Sequence, residues 1–429
     1  VQTTDDGAVV IDDNGAGNII RATDGSGTTD FVATTNLVVD MLAGTGNQLD
    51  VDLDSALAGD LTLNLLDGAR NVNMVGSNNG IGGSFTVIAG SDMQSLEIGV
   101  NAGLTVGADL MFDLGSGLDS VDEDNNDIGI TGNMTFISVN FFENGGTATI
   151  GGNVLVDSTG EVEDTLFDDD ATLTITGNLT FNGGSGRDEV TMNGVAGGTS
   201  IGGFANVDVA DNTTGGTQFV FFNLPNASVG GALTVTSTSA VNPDSFSMHP
   251  AAAVGGDIVV DLGDGPNDAL FSGVFSGASG SYLGGSGVDN VSLSATAGGM
   301  DFEVYLGESY DSFALDAGAL LNSLYLDFGL CEASSAAEQG ANFIDGFSGQ
   351  YPFEVEIANF YCAVTPIPAR DLERPALRAR PGRDPAHRRR RLLRSAGGSG
   401  HPEPGRTAAR FSHLPAPSGG AVETVDDRR

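Results

Sequence analysis

A short phrase recurs along this chain about every 24 residues, and few folds accept such a repeat. The phrase is an aliphatic residue, two small residues (usually Gly-Gly), a variable residue and then apolar-x-apolar. Clear copies lie at 81–87 (IGGSFTV), 130–136 (ITGNMTF), 150–156 (IGGNVLV), 175–181 (ITGNLTF), 229–235 (VGGALTV) and 254–260 (VGGDIVV). Taking the third position as an anchor gives Thr35, Gly59, Gly83, Ala108, Gly132, Gly152, Gly177, Gly203, Gly231, Gly256, Gly280, Met300 and Asn322. The gaps between them are 24, 24, 25, 24, 20, 25, 26, 28, 25, 24, 20 and 22 residues.

A period of this size marks a stacked-repeat architecture. Within each unit the apolar residues alternate with period two, the strand signature. A strand this short, flanked by glycine, cannot bury its own face, whereas stacking equivalent units creates a continuous core. Glycine at the corners permits tight bends. The spacing leaves no room for crossover helices, and a β-sandwich, which also uses many short strands, needs no 24-residue period. The predicted fold is all-β: a right-handed parallel β-helix, or β-solenoid, with rungs of about 24 residues over 30–330. Twelve rung intervals at about 4.8 Å each predict a rod of roughly 58 Å. The inward residues should include Phe85 and Val87, Leu110 and Phe112, Met134 and Phe136, Val154 and Val156, and Leu179 and Phe181, each stacked on its counterpart one rung away. Thr62, Thr86, Thr135, Thr180 and Thr234 share one outward position, a pattern of ice-binding solenoids, but Met111, Leu155, Asn206 and Val259 interrupt it.

A second phrase follows the anchor: Leu-Gly-x-Gly-x-Asp, then alternating apolar residues. Copies are 114–119 (LGSGLD), 183–188 (GGSGRD), 262–268 (LGDGPND) and 283–289 (LGGSGVD), with a decayed one at 306–311 (LGESYD). Eleven residues after their anchors stand Asp119, Glu143, Glu163, Asp188 and Asp311; Asn267 takes the same place with Asp268 beside it. Together with Asp289 these acids form the candidate metal-binding set. Carboxylates stacked rung on rung raise one another's pKa unless something neutralises them. Hard divalent cations with oxygen ligands, Ca2+ above all, are the natural remedy. The alternative is a solvated Asp closing a glycine turn with an Asx-type hydrogen bond.

Charge narrows the range of partners. The 429 residues include 57 Asp and Glu and 17 basic residues, all of them Arg. Only Arg21, Arg70 and Arg187 precede residue 370, leaving 50 acids against 3 Arg there, a formal −47. Such a field repels nucleic acid and anionic membranes, which excludes nucleic acid as a partner. No transmembrane segment is expected, because no apolar run is long enough. The two cysteines, Cys331 and Cys362, are too few for a disulfide scaffold.

The ends depart from the repeat. Residues 1–29 read as an N-terminal partial rung or cap, with strands near Val9 and Ile20, blunting the exposed sheet edges. Residues 331–365 read as a C-terminal cap region with a short helix over 332–341. Residues 366–429 hold 14 Arg and 9 Pro without any period, which predicts a disordered basic tail. Its abrupt change of composition is also what out-of-frame translation of a GC-rich gene yields.

The phrases IGGN, ITGN and LGSG-x-D, spread over about 70 per cent of the chain, resemble the repeat regions of large secreted bacterial β-helix surface proteins, the autotransporter- and adhesin-like passengers. The resemblance implies an extracellular or cell-surface location and a non-catalytic structural or adhesive module, with surface glycans or proteins as partners. It carries no catalytic residue. GGSG-x-D is also similar to the calcium-binding nonapeptide of secreted bacterial toxins, which implies Ca2+ as a ligand. Here the phrase occurs once per rung and lacks the tandem copy that completes each ion cage.

The alternative function is a calcium-dependent carbohydrate-binding or polysaccharide-active β-helix protein. A lyase for acidic polysaccharides looks to Arg or Lys as base, and three scattered Arg fit that poorly. A glycosidase needs two carboxylates across one groove, and no such pair stands out from the repeat. A groove lined by aromatic residues would favour this alternative; a uniform face favours the adhesive module.

Overall fold

The computed structural model describes most of residues 2–329 and the strands Phe343–Asp345 and Glu354–Ala358; parts of the variable turns and everything from 359 onward lie outside the described residues. Among the described residues there are strands and turns and no helix. They form a β-solenoid of three sheets with 15, 16 and 10 strands. The first sheet takes the apolar-x-apolar segment, as in Leu110–Asp113, Met134–Ile137 and Val154–Asp157. The second takes the segment after the glycine-rich turn, as in Ser120–Glu123, Phe141–Asn144 and Asp188–Met192. The third takes the short segment that ends in the aliphatic residue opening the phrase, as in Ile128–Ile130, Thr147–Ile150 and Thr172–Ile175.

The repeat phrase sets the register. Phe85 pairs with Leu110, Leu110 with Met134, Met134 with Val154 and Val154 with Leu179, all buried. Rings two residues on extend this core, with Phe85–Phe112 and Phe112–Phe136 centroids 5.4 and 5.6 Å apart. Phe136, Phe142 and Phe167 continue the contact across the interior at 4.9 and 5.1 Å. Such ring pairs add to the stability from burial alone. The outward threonines also fall in one column, Thr86 on Met111 on Thr135 on Leu155 on Thr180.

The anchors are the corners at which successive rungs come closest. The N–H groups of Gly83, Ala108, Gly132, Gly152, Gly177, Gly203, Gly231 and Gly256 each donate to the carbonyl of the preceding anchor at 2.7–3.1 Å. A Cβ on Gly152 would lie 2.7 Å from the Gly132 carbonyl oxygen, so the stacking requires glycine there. Gly280 is an exception to the predicted anchors. It pairs with Ile258 and Phe302 inside the strand Ser279–Gly284. The corner is Ala278, 22 residues from both Gly256 and Met300. Gly280 faces inward, and a side chain there would overlap the Phe302 ring of the next rung.

Both ends of the repeat differ from expectation in extent. Val9–Asp12 pairs in parallel with Asn47–Asp52 as a partial rung should. Beside it, Ile19–Asp24 and Gly27–Val32 add two antiparallel strands at the outer end of the second sheet, crossing the boundary predicted at residue 30. Arg21 makes a two-pronged ion pair with Asp30 across that hairpin, at 2.8 and 3.3 Å. At the other end parallel pairing continues past 330, into Phe343–Asp345 and Glu354–Ala358. The helix expected over 332–341, both cysteines and the basic tail lie outside the described residues.

Candidate functional site

The aspartates of the second phrase are inside the solenoid. Asp119, Asp188, Asp289 and Asp311 are each no more than 1% exposed. They stand at or just before the start of a second-sheet strand. The strand register aligns them in one polar column: Gln94, Asp119, Asn140, Thr165, Asp188, Gln218, Asp244, Asn267, Asp289 and Asp311, all buried.

Local geometry explains why polar side chains enter the core here. At this corner a main-chain N–H needs a partner, and a buried amide left without one is costly. The side chain of the following rung supplies it. The Gln94 N–H donates to Asp119 Oδ1 at 2.6 Å, the Asp119 N–H to Asn140 Oδ1 at 3.0 Å, and the Asp289 N–H to Asp311 Oδ1 at 3.0 Å. Asn267 Nδ2 donates to Asp289 Oδ1 at 3.0 Å and to the Gly263 carbonyl at 3.2 Å. The glycines of the phrase make room: a Cβ on Gly183 or Gly284 would overlap the carboxyl group of Asp188 or Asp289 respectively.

Burial disfavours the charged form of these acids. It pushes Asp119 up to about 7, assisted by the charge of Glu161 and opposed by the Gln94 hydrogen bond. It pushes Asp289 up to about 8, with the neighbouring Asp311 adding to the rise. Asp311 is raised to about 7, again by burial. Tyr282, fully buried near Asp289, is raised well above its ordinary value for the same reason. A carboxyl group that keeps its proton can donate as well as accept, which suits a hydrogen-bonded column better than a cation site.

The remaining acids of the predicted set lie elsewhere. Glu143 is three residues beyond the column, on the outer face, in register with Asp122 on one side and Asp168 on the other. Glu97 precedes Asp122 in the same outer column. The constant offset of eleven fails there because Asn140, the column residue, comes only eight residues after Gly132. Asp268 is exposed beside Asn267 and accepts from Asn290 Nδ2 at 2.9 Å. Glu163 lies outside the described residues. Among the described residues no three His, Cys, Asp or Glu side chains are placed to hold a metal ion.

The Asx turns exist, but other residues make them. Asp208, Asp261 and Asp327, at or near the ends of first-sheet strands, accept from the N–H two residues on, at Ala210 (3.0 Å), Gly263 (3.3 Å) and Gly329 (2.9 Å). Those three residues have φ of 53°, 74° and 70°.

A second ladder occupies the variable position of the first phrase. Asn133 accepts from the N–H and Nδ2 of Asn153 at 2.9 and 3.1 Å. Asn153 accepts likewise from Asn178 at 2.9 and 3.0 Å. Asp60, Asp109 and Asp257 serve the same corner. The signal in the sequence was the recurrence of Asn or Asp directly after the anchor.

One shallow depression of about 480 Å³ lies over the third sheet, lined by residues such as Gly80, Gly82, Thr105, Gly129, Thr131 and Thr149. No aromatic or titratable side chain lines it. No protein-family model, curated protein or solved structure matches the chain.

Proposed function

We propose that this chain is a non-catalytic structural or adhesive module of a secreted or cell-surface bacterial protein, with surface glycans or proteins as partners. The observation that carries the reading is the fate of the repeated aspartates. Four of the motif acids are buried in the core column and face no groove, and two of them, Asp119 and Asp311, cap the main chain at a corner. A polysaccharide-cleaving solenoid would instead present paired carboxylates to an open cleft, and the depression over the third sheet offers none. The strong negative field supports a soluble, extended surface body.

The test displays the full chain on beads and measures retention on surfaces coated with glycans or with proteins. A parallel assay follows the release of new reducing ends or unsaturated products from a polysaccharide panel. Retention without product is the expected result. Turnover of any polysaccharide would overturn the reading.

A further inference from the structure

All six tyrosines of the chain lie between residues 282 and 361, and two of them interrupt the outward columns of the first sheet. The strands Asp301–Tyr305 and Ser323–Asp327 are neighbours, with Glu303 opposite Tyr325 and Tyr305 opposite Asp327. The Tyr305 and Tyr325 rings therefore meet on the diagonal, centroids 5.5 Å apart and planes tilted by 51°. Tyr305 donates its hydroxyl to Glu303 Oε2 at 3.0 Å, and Tyr325 donates to Asp327 Oδ2 at 3.3 Å. Glu356, exposed on the next strand, stands opposite Tyr325, and exposed Asp301 lies two residues before Glu303. On earlier rungs the Tyr325 column carries Thr86, Thr135, Thr180 and Thr234. The result is two half-buried rings set at an angle inside a ring of carboxylates.

We propose that this notch binds a basic side chain, an arginine guanidinium above all, on a partner protein. The inference rests on the adhesive reading and gives the chemistry of one contact. Ring faces attract cations, and arginine stacks on them better than lysine. Glu303, Glu356 and Asp301 supply opposite charge around the rings, and the whole body draws cations toward it. Centroids 5.5 Å apart leave no slot between the rings, so a flat cation would lie against their exposed faces; two half-buried rings offer too little open surface for a pyranose, which needs a broad platform.

The experiment titrates the full chain with acetyl-Gly-Arg-Gly-amide in 150 mM salt, at about physiological ionic strength, by ligand-observed NMR. The neutral Gln peptide and a neutral glucose oligomer are run alongside. The Arg peptide should bind saturably and the two neutral probes far more weakly. Replacing both tyrosines by threonine (Tyr305→Thr with Tyr325→Thr), the residue that recurs in the Tyr325 column and stands once, as Thr236, in the Tyr305 column, should weaken Arg binding about tenfold. Changing both to phenylalanine keeps the rings and should retain most of the binding. Asp122→Asn with Glu143→Gln, in the outer acidic column of the second sheet, should leave binding unchanged. Equal affinity in the threonine variant, an equal loss in the phenylalanine variant, or tighter binding of the glucose oligomer would each overturn the proposal. Surface retention that persists while the Arg peptide fails to bind removes this proposal alone and leaves the adhesive reading standing.

Discussion

The main-chain N–H of Asp289 donates to the carboxyl oxygen of Asp311 one rung further along, 3.0 Å away, and both side chains are buried. Two acidic groups on successive rungs thus belong to one hydrogen-bonded column, and their protonation is part of the core.

This column should make the solenoid more stable in mild acid than in mild alkali. Asp119, Asp289 and Asp311 have folded pKa values of about 7, about 8 and about 7, above the ordinary aspartate value of 3.8. A group raised on folding stabilises fully below its unfolded pKa, and that contribution is lost as pH rises through the folded one. Unfolding free energy should therefore fall between about pH 4 and about pH 8. Exposed carboxylates contribute a slope of the same sign, so the decisive variant is Asp289→Asn with Asp311→Asn. Denaturant titrations from pH 4.5 to 8.5 should show a flatter slope in that variant. An unchanged slope would place the titrating groups elsewhere.

Gly284→Ala should destabilise the fold by roughly 1–3 kcal/mol, because the new methyl group overlaps the Asp289 carboxyl. Shortening the partner with Asp289→Ala should relieve that clash. A double-mutant cycle on the pair should give a coupling of about 1 kcal/mol or more. Additive effects would mean that Gly284 is required for its backbone alone.

Asn153 joins its rung to both neighbouring rungs through four hydrogen bonds, two donated to Asn133 and two accepted from Asn178. The ladder is exposed, so water replaces part of what is lost. Asn153→Ala should cost about 1–2 kcal/mol by chemical unfolding, whereas Asn153→Asp should cost less, since Asp109 and Asp257 serve the same corner. A larger loss with Asp than with Ala would show that charge repulsion governs the ladder.

Salt should stabilise the protein mainly by screening. The acids repel one another over the surface of a body with a formal −47 before residue 370. Any gain specific to Ca2+ should arise from the outer column of Glu97, Asp122 and Glu143, since Asp119 and Asp289 are enclosed. Melting temperatures in Ca2+ and in sodium chloride of matched ionic strength should nearly coincide. A large calcium excess that survives Asp122→Asn with Glu143→Gln would point to ligands elsewhere.

Period-two burial and close contact at the corners are local rules, so the strands, the inward residues and most anchors could be read directly from the sequence. Phe85, Leu110, Met134, Val154 and Leu179 fall in one column because each follows its corner by two residues. Gly280 misled because a glycine inside a strand, there to admit Phe302, has the same letter as a corner glycine. The acids were harder to place because turns between the first two sheets vary in length. An offset measured across such a turn holds at Asp119, Asp188 and Asp311 but overshoots at Glu143. Burial of the motif aspartates was not legible, since Asp is usually exposed. Only the glycines packed against them, Gly183 and Gly284, hinted at it.

The parallel pairing of every rung with the next also has a mechanical consequence. The inter-rung hydrogen bonds run along the axis of the rod, so tension applied between its ends would load them a few at a time, from one end inward. Each rung released would yield about 24 residues of chain, on the order of 80 Å when extended, in exchange for a spacing of about 4.8 Å. A body built this way lengthens stepwise under pull and keeps the remaining rungs intact.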